Sequence, residues 1–192
     1  MSSKEKRLTI LCAAVAGSSR LFEKRGGAEA LHAVERCRKR MSRGVDGFRG
    51  DILRSGRDEI VAAFEHADDA CQAAMAMQRR VADLPPVSGV QLAIRVGFHH
   101  GPLVDEGGEL AGSGLSIAES LAALATAGQI LTSGETRARL PPHLQLSTHC
   151  LVQTAEAGAA EEPPVFEVLW SEARETATKV MPEPPAAPPA RY

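Results

Sequence analysis

Between Gln91 and Ser133 the chain reads QLAIRVGFHHGPLVDEGGELAGSGLSIAESLAALATAGQILTS, and the rest of the sequence organises around this stretch. Ala93, Ile94, Val96 and Phe98 form an apolar run rich in β-formers, which Gly101-Pro102 is expected to end. Gly107-Gly108 and Gly112 then break the chain. Leu115, Ile117, Ala118, Leu121, Ala122, Leu124 and Ala125 follow at helical spacing. Gly128 stops that helix, and Gln129-Ile130-Leu131-Thr132 reads as a second short strand. The unit is therefore strand, glycine-punctuated loop, helix, strand.

Upstream, Leu8 to Ala16 is a continuous apolar run suited to a buried central strand. Gly17-Ser18-Ser19 ends it and starts a short helix carrying Leu21 and Phe22, with the serines as caps or as an anion site at the helix N-terminus. Ala28 to Met41 is helical, with Leu31, Val34, Cys37 and Met41 expected to face inward. Phe48–Arg54 and Glu59–Phe64 read as a hairpin around Ser55-Gly56-Arg57-Asp58. His66 to Leu84 is the clearest helix, because Ala67, Ala70, Cys71, Ala74, Met77, Gln78 and Val81 fall on one face. Downstream, Thr136–Leu140 reads as a short helix stopped by Pro141-Pro142, Leu144–Gln153 as a half-exposed strand, and Pro164–Trp170 as a last strand. The order β-α-β-β-α-β predicts an α/β sandwich with a mixed, largely antiparallel sheet, of ferredoxin-like type. The domain is expected over residues 7–170, with an arm over 1–6 and a disordered or polyproline tail over 171–192.

At 192 residues the chain is long enough for one real core, and with aromatics at only 4% that core must be built from Ala, Val, Leu and Ile. A net charge of −2 argues against nucleic acid or an anionic membrane as a bulk-charge partner. The basic cluster Arg36, Arg38, Lys39, Arg40, Arg43 reads as a solvated helix face. Cys12, Cys37, Cys71 and Cys150 are scattered, without metal-ligand spacing, which fits reduced, buried thiols in a cytoplasmic protein. No apolar segment follows the N-terminal charges as in a signal peptide, and none approaches the ~18 residues of a membrane span.

Three segments together resemble the catalytic domain of the class III adenylate/guanylate cyclases. That family runs RIGIHxGPV, GxxVNxAxRL and LAxxGQILxS through the stretch from Arg95 to Ser133, LxxLFADVxGST at Leu8–Ser19, and KTxGDE at Arg54–Glu59. The resemblance covers roughly residues 7 to 170 and implies the same sandwich fold. It implies, for active members, a site built across a head-to-tail dimer: two Asp hold divalent metals, Lys and Asp or Thr choose the purine, and Asn and Arg hold ribose and transition state.

Matched residue by residue, most of that chemistry is missing. The first metal Asp falls on Ala14 and the second on Asp58; the purine-choosing pair falls on Arg54 and Glu109; the Asn is Ser116 and the Arg is Ser120. A serine at Ser120 supplies no fixed positive charge. Losing one transition-state contact costs about 10²–10³ in rate, so losing a metal ligand and the Arg together leaves little turnover. Asp58 also suits a hairpin tip as an ordinary turn residue, and Arg54 with Glu109 is either a base-recognition remnant or a surface ion pair. His99 and His100 point to opposite faces of a strand, so they are not expected to share a metal. The expectation is a catalytically degenerate cyclase-like domain, homodimeric, acting as a regulatory or protein-interaction module for an unidentified signalling protein and needing no cofactor. Two alternatives stand beside it: a purine nucleotide sensor without turnover, and a divergent active cyclase using Mg or Mn with ATP or GTP.

Overall fold

A computed structural model of the chain describes residues 5–106, 109–151 and 163–172. In chain order the elements are β1 (Lys6–Ala16), α1 (Ser18–Arg25), α2 (Gly27–Asp46), β2 (Asp51–Ser55), β3 (Glu59–Phe64), α3 (Ala67–Ala82) and β4 (Ala93–Glu106). They continue with β5 (Glu109–Ala111), α4 (Ser113–Leu124), β6 (Ile130–Ser133), α5 (Gly134–Arg137), α6 (Pro142–Gln145), β7 (Thr148–Leu151) and β8 (Val165–Val168). The sheet order is β2-β3-β1-β4-β6-β8-β7, with β5 paired to the end of β4. Of the described pairings only β4 with β6 is parallel. The βαββαβ core expected from the sequence is therefore present.

Strand alternation sorts the core into two layers. Leu11, Ala13, Ile60, Ala62, Ile94, Val96 and Phe98 pack with α2 and α3, whereas their chain neighbours Ile10, Cys12, Val61 and Ala63 pack with Leu115, Ala118 and Ala122 of α4. Burying each aliphatic or Phe side chain stabilises by about 1.5–3 kcal/mol, and small residues let the helices come close. Gly97 is the extreme case: a β-carbon there would meet the backbone nitrogen of Ala122 and lie 2.7 Å from the carbonyl oxygen of Ala118. Gln78 is buried in α3, where its amide donates to the carbonyls of Ile94 (3.0 Å) and Gln129 (3.1 Å) and so ties that helix to β4 and to the turn before β6.

Several local expectations are corrected. Gly101-Pro102 does not end β4, which continues to Glu106. Pro102 pairs opposite Arg7, and on the other edge of β4 the pairing with β6 ends at Phe98 while the pairing with β5 starts at Val104, so no described ladder bond there needs the missing N–H. Strand β2 starts at Asp51 rather than Phe48, because Arg49 turns the chain with φ +60 and is held there by Asp69 at 2.9 and 3.1 Å. Leu31 is 42% exposed: the inward stripe of α2 is Ala30, Ala33, Val34, Cys37, Met41 and Val45.

The capping reading of Ser18 and Ser19 also fails. Gly17, at φ +86, is the N-cap of α1, and neither serine makes a side-chain cap bond. Pro142 opens a helix instead of only stopping one, so Leu144 is a buried helical residue and β7 begins at Thr148. Cys150, on that strand, is exposed, while Cys12, Cys37 and Cys71 are buried. No described helix is long and apolar enough to cross a membrane. The expected tail from Pro182 onward and the end of the Leu144–Gln153 run lie outside the described residues.

Candidate functional site

The three central strands bring Ala14 between two charged residues. Ala14 pairs with Glu59 across the β1–β3 ladder and with Arg95 across the β1–β4 ladder, so acid, methyl and base stand in one row. By alternation this row faces α4, on the same side as Cys12 and Val61. Between the row and α4 lies a cavity of about 230 Å³, lined by Cys12, Ala14, Glu59 and Arg95 from the sheet and by Glu119, Ala122 and Ala123 from the helix, with Arg54 reaching in from β2.

Arg54 is held at the mouth of this cavity. Its guanidinium donates to Glu119 Oε1 at 2.8 Å, and its Nε stands 3.6 Å from Glu59 Oε1. The hydrogen bond to Glu119 raises the Arg54 pKa further, so this charge is permanent. Arg95 differs: its Nε is buried and has no hydrogen-bond partner. Burial, reinforced by the Glu119 carboxylate, pushes the Cys12 thiol up to about 12, which leaves it neutral and a poor nucleophile or ligand at physiological pH.

The other expected residues are scattered or engaged elsewhere. Asp58 is half-buried just before β3; its carbonyl accepts from Val15 N at 2.8 Å, and Glu59, not Asp58, lines the cavity. Ser116 and Ser120 are exposed on α4, and each hydroxyl donates back to its own helix, to Gly112 O (3.3 Å) and Ser116 O (2.8 Å). Ser18 and Ser19 lie in the first turn of α1 and are not part of this cavity's lining. The side chain of Glu109 lies outside the described residues, while Arg54 takes Glu119 and Glu59 as its carboxylates.

Divalent metal chemistry finds no matching donor set here. Ala14 offers no oxygen, Glu59 is beside Arg54, and among the described residues no three His, Cys, Asp or Glu side chains converge. His99 and His100 are tied into hydroxyl contacts instead. His99 Nδ1 lies 2.6 Å from Ser133 Oγ and 3.2 Å from Thr136 Oγ1 on one face, and His100 Nδ1 lies 3.0 Å from Thr9 Oγ1 on the other. Desolvation pushes both imidazoles below their ordinary 6.5.

Sequence reasoning missed Arg95 and Glu119. The available signal was a charge among apolar or small neighbours: Arg95 alternates in phase with Gly97, and Glu119 is the lone charge of α4, between the two serines of interest. Only the strand register places Arg95 opposite Ala14, and only the packing of α4 on the sheet brings Glu119 to the same cavity.

No family model matches the chain, and no curated protein matches it in sequence. Solved structures do match in fold. An adenylate/guanylate cyclase/hydrolase from Silicibacter pomeroyi is 21% identical, with a TM-score of 0.72 over 88% of this chain and 99% of that one. The catalytic core of a rhodopsin-guanylyl cyclase with converted specificity, in complex with ATPalphaS, is 16% identical, with a TM-score of 0.74 and coverages of 88% and 99%. A monomeric guanylyl cyclase domain of the RhoGC fusion protein from the aquatic fungus Blastocladiella emersonii is 15% identical, with a TM-score of 0.70 and coverages of 88% and 98%. The chain thus has the fold of the class III adenylate/guanylate cyclase catalytic domain.

Proposed function

We propose that this is a cyclase-fold domain that has lost catalysis and acts as a regulatory or protein-interaction module, homodimeric through the surface its fold offers. The observation that carries this reading is the row Glu59–Ala14–Arg95, where a methyl group stands at the position matched to a metal carboxylate. The serines at the Asn and Arg positions bond their own helix, and Arg54 is neutralised by Glu119, which supports the same conclusion. The test is a product assay of pure protein with ATP and GTP, with and without Mn²⁺, alongside sedimentation for oligomeric state. No cyclic product and a dimer are expected. Product that is lost in Asp58→Ala would overturn the reading.

A second reading, nucleotide binding without turnover, is favoured by one specific feature: the Nε of Arg95 is buried beside the cavity without a partner. Calorimetric titration with ATP and GTP separates the two, since a pure interaction module gives no heat at millimolar nucleotide.

A further inference from the structure

The sheet ends in two outer strands, and they are built differently. Strand β2 carries Asp51 and Arg54, and its register with β3 shifts between Ile52 and Arg54. Charge and a bulge are the usual defences of an exposed edge. Strand β7, Thr148-His149-Cys150-Leu151, has no Asp, Glu, Lys, Arg or Pro and keeps an unbroken register with β8. No described strand pairs with its other side. His149 and Cys150 are exposed. Leu146, just ahead of the strand, is 86% exposed, more than any other large apolar side chain described.

Backbone alternation fixes which groups that open side offers. The carbonyl of Ser147, one residue before β7, accepts from Leu169 N at 2.7 Å and so points at the β8 side. Every second residue of an antiparallel ladder points the same way, so His149 and Leu151 also bond toward β8. The N–H and C=O of Thr148 and Cys150 therefore point to the open side.

We infer that β7 is a self-association edge, to which a second copy of this chain adds its own β7 antiparallel. A two-fold axis at His149 matches the outward groups of both copies. Thr148 of each copy then exchanges both bonds with Cys150 of the other, and the two His149 residues face each other as a non-hydrogen-bonded pair, about 4.5 Å apart at Cα. A second copy suits this edge because the strand brings no Lys, Arg, Asp or Glu against itself, and it offers neither sign to a charged peptide. One isologous contact also uses the same edge twice. The strand is short, so the pairing is weak and rises with concentration. It depends neither on lost catalysis nor on any other dimer surface, so it stands or falls separately from the function proposed above.

The experiment is oxidation of the full chain carrying His149→Cys and Cys150→Ser, over a dilution series, read on non-reducing gels and by peptide mass spectrometry. A Cα separation of about 4.5 Å lies within the disulfide range of about 4.4–6.8 Å, so a link between the two copies at position 149 is expected. In the same register the two Cys150 residues are diagonal neighbours at about 7–8 Å, outside that range. Wild type is therefore expected not to link, its other cysteines being buried. Sedimentation of His149→Lys and His149→Glu checks the two-fold axis by charge. Each variant alone sets like charges face to face and is expected to weaken pairing by up to about fivefold, and an equimolar mixture is expected to recover it. His149 stands opposite Glu167 on β8, so both variants are melted beside wild type; if either melts early, the disulfide decides. No link at position 149, or wild-type Cys150 linking as readily, overturns the proposal. So does a mixture of the two well-folded charge variants that pairs no more tightly than either alone. None of these results alters what the product assay says about catalysis.

Discussion

Arg95 stands directly across the β1–β4 ladder from Ala14, and its buried Nε has no partner there. A carboxylate at position 14 would therefore find a cation before it found a metal. The variant Ala14→Asp is expected to keep or raise the melting temperature and to yield no Mn²⁺-dependent cyclic product. Each restored transition-state contact is worth about 10²–10³ in rate. The triple variant Ala14→Asp, Ser116→Asn, Ser120→Arg should accordingly gain a Mn²⁺-dependent cyclic product that the single one lacks. A single variant as active as the triple would show that the serines are not what limits the site.

Helix α4 rests on Gly97 with backbone against backbone, so Gly97→Ala leaves no flexible side chain to move aside. Overpacking of a close-packed core typically costs about 1–3 kcal/mol, and this site belongs at the upper end. The expected result is a lower urea midpoint with an unchanged slope. A midpoint equal to wild type would mean that α4 can lift off the sheet at no cost, and the cavity beneath it would then need another explanation.

Acid should weaken the fold through β4. His99 and His100 are both pushed below 6.5, mainly by burial, so the unfolded chain takes up protons before the folded one does. Their contribution is present above 6.5 and is lost as pH falls through that value toward the lower folded pKa. Arg7 and Arg139, with His66, oppose protonation of His100; Arg7 opposes it at His99, where Glu135 favours it. Urea midpoints at about pH 7.5 and about pH 5.5, on either side of the ordinary histidine pKa, should differ in wild type. They should differ less in His99→Gln and His100→Gln.

Thiol chemistry should rank the cysteines by place in the fold. Cys150 lies exposed on β7 and is expected to react first. Burial pushes Cys37 up to about 11 and Cys71 up to about 12, and both should stay protected until the protein unfolds. Timed alkylation without denaturant tests this ranking. Early labelling of Cys71 would mean that α3 is not packed as described.

Much of the architecture was legible because periodicity follows from backbone geometry. The apolar run at Leu8–Ala16, the hairpin at Arg54–Glu59, the α3 stripe from Ala67 to Val81 and the strand–loop–helix–strand order after Gln91 all appear in place. Where the reading failed, tertiary context had overridden a local signal. Pro102 is tolerated mid-strand because no neighbour pairs with it on one edge. Leu31 turns outward because Ala30 and Val34 already fill the inward face of α2.

The sequence by itself determined the fold's outline and the identity of the residues at the positions matched to the cyclase motifs, since both are written in order and spacing. The tertiary structure alone decided which charges meet. Glu119, 65 residues from Arg54 in the chain, takes its guanidinium, and Arg95 comes to lie opposite Ala14. Such pairings depend on strand register and on where α4 crosses the sheet. No local pattern encodes them, because they arise when distant segments are packed together around Gly97.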